Sequence, residues 1–560
     1  MAYNGGAEVT TAKVQMGVKL NVDGDGDGVA NFEEAMLLTG YGRYNIVFLL
    51  VCGFVAIAVG CQYSTTAYVL PSAQCDLSLS SSQMGYLNSA FLIGAMLSAI
   101  SSGAIADAMG RRRIMLWSLV IDGFVTLLSS LSQNFITLFI FRFINGIVIG
   151  GPSSLLFTMF GEFHGEKFRA AGICYLGFFW SVSWIVLPAL AWMVIPIELN
   201  IVVYGFTYNS WQLFISIIAA PLLISGFLLS LYPETPKFLL SQGEHAKALE
   251  IMKQIYAANT NRITQDFPVK RLVFDDAKIS ERGDSLSGPF KNMWKQLCCI
   301  FSSPLLKYTI LVASMLGANM FGYYGLGLWF PELFNRFENF HVSHPNESLT
   351  ICEMAYLQLD NDKLTIPVLG MTENSMWTTE LEPQNMSTTI LPYMQVLTES
   401  ATELCNISVD QKVFVNTIII GFSCLIGNLA SGYLMNRVDR RVLPIATQLL
   451  AGLSGCAIYL LKTSTQNLIA ASMFSAFSSM ANMIIIGRIV DLFPTNVSAI
   501  TSGVATLSGR AGAILSNVLF GLLLDVSCEV PIFFVGGVVI AGGIIAFFVP
   551  THPLVLPKPS

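Results

Sequence analysis

Twelve apolar runs of about twenty residues dominate this chain, and each is long enough to cross a bilayer as an α-helix. They fall at 45–70, 84–107, 114–132, 134–160, 169–196, 211–232, 306–335, 411–436, 440–461, 466–490, 498–525 and 528–550. Lipid offers the backbone no hydrogen-bond partners, so runs of this length and spacing fold as helices. The chain is 53% hydrophobic and 12% charged, against roughly 25% charged residues in a soluble protein. That balance predicts an all-α polytopic membrane protein and excludes nucleic acid as a partner. The first 44 residues lack the apolar stretch of a cleavable leader, so the first span is expected to direct membrane insertion.

The spans divide six and six. The expected layout is an N-terminal segment (1–44), a six-helix bundle (45–232), a polar central loop (233–305), a second six-helix bundle (306–550) and a short tail (551–560). Lysine and arginine give the orientation. With the N-terminus in the cytoplasm, only Arg336, Lys363, Lys412 and Lys462 of thirty fall outside. Both termini are therefore expected to be cytoplasmic. The segment 336–410 is then external, and it holds three glycan acceptor sequences, at Asn346, Asn385 and Asn406. Cys352 and Cys405 share that loop and are the expected disulfide; free thiols, or a pairing with Cys75, are the alternatives.

Two cytoplasmic loops repeat one another. GAIADAMGRRR (103–113) joins spans two and three, and SGYLMNRVDRR (431–441) joins spans eight and nine. Gly103, Asp107, Gly110, Arg111 and Arg112 match the G-x-x-x-D-x-x-G-R-R loop of the major facilitator superfamily. Gly432, Arg440 and Arg441 repeat it, with Asn436 and Asp439 in place of the aspartate and second glycine. Glu162 precedes Arg169 by seven residues, as Asp491 precedes Ser498. RFINGIVIGG (142–151) and PETPKFLL (233–240) resemble segments of sugar and organic-ion carriers. YVLPSA (68–73), YYGLGLWFPELFNR (323–336) and TGYGR (39–43) resemble the synaptic vesicle glycoprotein 2 family. The resemblance implies the major facilitator fold, two parallel six-helix halves around a central cavity, working as a monomer in the bilayer on a small solute. It also implies gating roles for Asp107, Arg111, Arg112, Glu162, Arg169, Arg440, Arg441 and Asp491. Trp180 and Tyr324 match aromatic positions of that family, and the resemblance places them at the cavity.

DGDGDGVANFEE (23–34) has a different look. Asp23, Asp25, Asp27 and Glu34 fit the spacing of a calcium loop. No second such loop accompanies it, position eight is Ala30, and an acidic linker leading into span one is the plainer reading.

Charged groups inside spans are costly and mark function. Asp122 is the one carboxylate near mid-span, and Arg142 lies at similar depth in the next span. The two form an ion pair or each reach cavity water separately; either way both are candidates for the substrate path. In span one the vesicle glycoproteins carry carboxylates where this chain has Val59 and Gln62, so the resemblance does not bring proton coupling with it. Arg510 is mid-span in a segment, 492–516, resembling span eleven of the organic anion transporters. An arginine stays charged, so Arg510 either grips a substrate carboxylate or sulfate or rests on backbone carbonyls. The expected function is alternating-access transport of a small organic solute, with an anion favoured, at the plasma membrane or a secretory or synaptic vesicle. The alternative is a transporter fold serving as a vesicle glycoprotein with a trafficking or receptor role. No nucleotide loop, metal cluster or nucleophile arrangement suggests an enzyme or a cofactor.

Overall fold

The apolar runs appear as helices in the computed structural model, which describes residues 21–22, 28–272, 297–303, 305–343, 350, 352–353, 410–435, 437–439, 441–493, 495–524 and 526–550. Asn31 opens the first helix, α1 (Phe32–Leu38), with a capping box closed by Glu34. The first half then runs α2 (Arg43–Asp76), α3 (Ser81–Met109), α4 (Arg111–Ser129), α5 (Phe135–Asn145), α6 (Ser153–Glu162), α7 (Glu166–Val194) and α8 (Ser210–Ser230). A π-helical turn, Gly146–Gly150, joins α5 to α6 within one span. Two short helices, α9 (Pro236–Ser241) and α10 (His245–Thr260), lie in the central segment. The second half runs α11 (Leu305–Gly327), α12 (Phe330–Ser343), α13 (Gln411–Leu434), α14 (Val442–Ala457), α15 (Ser464–Leu492), α16 (Thr495–Leu523) and α17 (Glu529–Ala546).

Among the described residues ten helices are long and apolar enough to span a membrane, and α3, bent by 50° beyond Ala99, makes an eleventh. The twelfth expected span is α4, whose 19 residues include Arg111, Arg112, Arg113 and Asp122. Span seven differs from expectation. It breaks after Gly327, and α12 carries the helix past 335 to Ser343.

The halves touch chiefly through two equivalent pairs, α3 with α16 and α7 with α13, which are spans two with eleven and five with eight, and α12 also packs on α2. The first pair is close-packed at the end away from the arginine loops and the second near mid-span. A side chain on Gly521 would meet the Ser81 carbonyl at 2.6 Å, and one on Gly421 would meet the Trp184 carbonyl at 2.4 Å. At the arginine end, Gly103 of α3 and Gly503 of α16 face open space. Among the described residues, the close approach of α3 and α16 thus runs from the far end and is not continued at Gly103 and Gly503.

The far end is also tied covalently. Cys352 is bonded to Cys528, their Cα atoms 5.2 Å apart. This corrects the expected Cys352–Cys405 bridge: the partner lies at the root of α17, 176 residues away in sequence, rather than in the same loop. Cys405, Asn346, Asn385 and Asn406 fall outside the described residues, as do Asp23, Asp25, Asp27 and Arg440. A small sheet packs beside the arginine end, with β1 (Asn21–Val22) antiparallel to β2 (Gly28–Ala30), and β2 parallel to Arg271–Leu272 of the central segment.

Candidate functional site

Aromatic side chains from both halves meet between α2, α7 and α11. Tyr63 packs edge-on against Trp180 with ring centroids 5.3 Å apart, and lies 6.5 Å from Tyr324. Trp184, one turn beyond Trp180, meets Tyr323 at 5.5 Å and Tyr324 at 6.4 Å. Asn428 of α13 donates to the Ser181 hydroxyl of α7 at 2.6 Å and accepts from Ser479 of α15 at 2.8 Å.

Arg510 enters this cluster from α16. Its Nη1 donates to the Ala95 carbonyl at 2.6 Å; its Nη2 donates to the Gly150 carbonyl at 3.0 Å and reaches the Tyr63 hydroxyl at 3.5 Å. All three acceptors belong to the opposite half. The Gly150 carbonyl is available because it closes the π-helical turn, where the regular ladder is interrupted. It also accepts from Tyr63 and Ser153, at 3.0 and 2.7 Å. A guanidinium has five N–H donors, so two remain without an acceptor among the described residues. Among the described residues no carboxylate pairs with Arg510.

Asp122 and Arg142 do not face this cluster. Both are sealed within the first half, 0% and 1% exposed, which corrects their expected place on the substrate path. They are not directly paired either, because Gln62 stands between them. Its Nε2 donates to Asp122 Oδ2 at 2.8 Å and to Thr126 at 2.5 Å, while its Oε1 accepts from Arg142 Nη1 at 3.1 Å. Asn145 donates to Asp122 Oδ1 at 2.6 Å. An amide can do this because it donates on one side and accepts on the other. A carboxylate at position 62 would instead set a second negative charge against Asp122.

The arginine end of the first half is a connected network. Arg111 bridges Asp107 at 2.7 Å and lies 3.5 Å from Glu162. Thr235 donates to the other Glu162 oxygen at 2.6 Å and caps α9. Glu234 accepts from the backbone N–H groups of Arg112 and Arg113, at 3.0 and 3.2 Å, and so caps α4. Gly110 has φ +101°, and a Cβ there would lie 2.4 Å from Glu234 Oε2, so both the turn and the cap demand glycine. Arg169 pairs outside this set. It holds Glu33 of α1 at 2.7 Å and donates to the carbonyls of Gly161 and His164.

Arg112 donates to the Leu229 and Ser230 carbonyls, the last turn of α8. Arg441 donates to the Phe547 carbonyl just past α17. The second arginine of each repeated loop thus binds the end of the sixth span of its own half. A family profile described as Major Facilitator Superfamily matches residues 52–356 and 384–560, most of the chain. The chain belongs to the major facilitator superfamily. Among curated proteins it is similar to human synaptic vesicle glycoprotein 2B, 26% identical over 93% of this chain and 85% of the relative. Rat synaptic vesicle glycoprotein 2C is also 26% identical, over 91% and 79%. Among solved structures it resembles the xylose transporter XylE from E. coli in a partially occluded inward-open conformation. That likeness has a TM-score of 0.60 at 15% identity, covering 91% of this chain and all of the other, and concerns the fold alone.

As a facilitator this multi-pass membrane protein places Trp180, Tyr324 and Arg510 together, and Asp107, Arg111 and Glu162 together. Asp491 falls in α15, with its side chain outside what is described. Glu34, the last calcium-loop position, uses its carboxylate to accept from the Asn31 N–H. Sequence reasoning missed Tyr63 and Asn145, and marked Gln62 only as a position lacking a carboxylate. It also missed Glu33 and Glu234, although the acidic residues of FEEA and PETP, each set close to a basic loop, were visible signals.

Proposed function

We propose that this facilitator moves a small organic anion by alternating access, and that Arg510 is the group that receives it. The observation carrying this reading is a cation between the halves, beside Tyr63, Trp180 and Tyr324, that has among the described residues no carboxylate partner and two N–H donors unengaged. Its present acceptors are carbonyls of the opposite half, so any motion that parts the halves frees the guanidinium. A carboxylate or sulfate then offers charge and two-point geometry that carbonyls lack. Alternating access needs such a contact: one made across the halves in one state and replaced by substrate in another.

The proposed setting has the arginine end in the cytoplasm, by the excess of lysine and arginine there, with both termini on that side and the chain working as a monomer. The halves as units are 45–232 and 306–550. Glycans on Asn346, Asn385 and Asn406 belong to this orientation, and stepwise gel shifts removed by single Asn→Gln changes test it.

The test of the substrate is uptake of a panel of anionic, cationic and neutral solutes into proteoliposomes. Selective anion uptake, lost in Arg510→Ala and poorly restored by Arg510→Lys, is the expected result. Cation selectivity, or anion uptake unaltered in Arg510→Ala, overturns it. A panel on which nothing is taken up favours the second reading, a non-transporting membrane glycoprotein. Gln62, standing where related vesicle glycoproteins carry a carboxylate, is the observation on that side.

A further inference from the structure

A second feature lies on the lipid-facing side of the arginine end. A groove of about 510 Å³ is lined by Arg112, Arg113, Trp117, Glu234 and Lys247, with Met109 at its rim. It opens between the start of α4 and the helices α9 and α10 of the central segment. The charges in it differ in what they already do. Arg112 is bound to the Leu229 and Ser230 carbonyls, and Glu234 to the first N–H groups of α4. Lys247 is paired with Glu244 at 2.7 Å, but at 70% and 42% side-chain exposure such a pair contributes little. The Arg113 side chain has no partner among the described residues.

What sits below Arg113 identifies the surroundings. Trp117, Ile121, Phe124 and Leu128 follow at helical spacing and are 54%, 45%, 58% and 51% exposed. They form one apolar stripe down α4, the face this span turns to hydrocarbon. Arg113 is one turn above Trp117 on that same face. A tryptophan at this place sits at the headgroup boundary, and a cation one turn above it, about 6 Å further out, is at the depth of lipid phosphates. An aqueous-facing groove would not continue into such a stripe, and a protein partner would have to displace lipid to reach it.

We propose that this groove binds the headgroup of an anionic phospholipid, with Arg113 and Lys247 contacting phosphate and the acyl chains lying along Trp117 and Phe124. Basic pockets beside spans at the membrane surface recognise such headgroups, and each cation near the surface accounts for about fivefold in affinity. The two carboxylates do not oppose this, because Glu234 is neutralised by the α4 terminus and Glu244, 42% exposed, is screened by water and salt once Lys247 turns to phosphate.

The test uses the full-length protein in detergent, titrated with phosphatidylinositol 4-phosphate, phosphatidylserine or phosphatidylcholine and read by native mass spectrometry. Retention of the two anionic lipids over phosphatidylcholine is expected. Arg113→Gln with Lys247→Gln should weaken that retention by about 25-fold, while an unchanged melting temperature without added lipid shows the variant is folded. Trp117→Ala should weaken binding of the lipids but leave unaltered any binding of free glycerol phosphate. Equal retention of phosphatidylcholine overturns the proposal. So does undiminished anionic-lipid binding in the double variant, or free glycerol phosphate competing as well as the lipid.

Discussion

Replacing Gln62 by leucine keeps the volume of the side chain and removes the amide that separates Asp122 from Arg142. Three hydrogen bonds disappear. Two of them involve a charged partner, and each such bond contributes about 1.5–3 kcal/mol. The third, to Thr126, is a neutral contact between helices and contributes about 0.6 kcal/mol in a membrane protein. The losses overlap, since Asp122 keeps Asn145 and Arg142 keeps a long contact to Ser129 at 3.5 Å. A net cost of about 3–5 kcal/mol follows, in line with leaving one buried charge uncompensated. For a folding unit of 150–250 residues each kcal/mol lowers the melting midpoint by about 2–4 °C, so Gln62→Leu should fall by on the order of 10 °C. The assay is intrinsic-fluorescence melting of purified protein in one detergent, with Gln62→Asn as a partial replacement expected to fall between. A Gln62→Leu midpoint within about 2 °C of wild type would mean that Asp122 and Arg142 are stabilised by something other than this amide.

Asp107→Asn removes one side of the Arg111 bridge at a site where the aspartate is 45% exposed; uptake should drop severalfold at equal surface abundance, and unchanged uptake refutes a gating role. Cys352→Ser should expose Cys528 to a thiol label, and Cys528→Ser should expose Cys352, whereas Cys405→Ser should leave both protected. His164, in the turn between α6 and α7, donates from Nδ1 to the Phe160 carbonyl at 2.8 Å, and burial holds its pKa below the usual 6.5. The unfolded chain therefore takes up this proton first as pH falls, so the contribution is full above pH 6.5 and is lost below it. Melting midpoints from pH 8 to 5 should decline less steeply in His164→Gln; identical slopes refute the assignment.

The spans were legible because hydrocarbon leaves a chain few options: a run either satisfies its own backbone or does not insert. The repeated arginine loops were legible for a related reason, since Arg112 and Arg441 answer the same need, the open carbonyls at the end of a sixth span. Pairings across long sequence distances were not legible. Arg169 takes its carboxylate from Glu33 of α1, over a hundred residues earlier. Cys352 likewise found Cys528. Asp122 and Arg142 were rightly placed at one depth, yet only the packed helices reveal that Gln62 fits between them. The break in span seven had a visible signal in Pro331, which stands in the first turn of α12 and marks a new helix start inside an otherwise continuous apolar run.

Glu234 and Thr235 belong by sequence to the connector between the halves, yet they hold α4 and Glu162 in place. The connector's later strand, Arg271–Leu272, zips onto β2, and Asn259 of α10 ties to the turn at Thr39 and Gly40. Mechanically, then, the first half does not stop at 232. A protein expressed as two separate pieces should reassemble when cut beyond Leu272 and fail when cut at Pro233, because the second cut hands the staple of one bundle to the other.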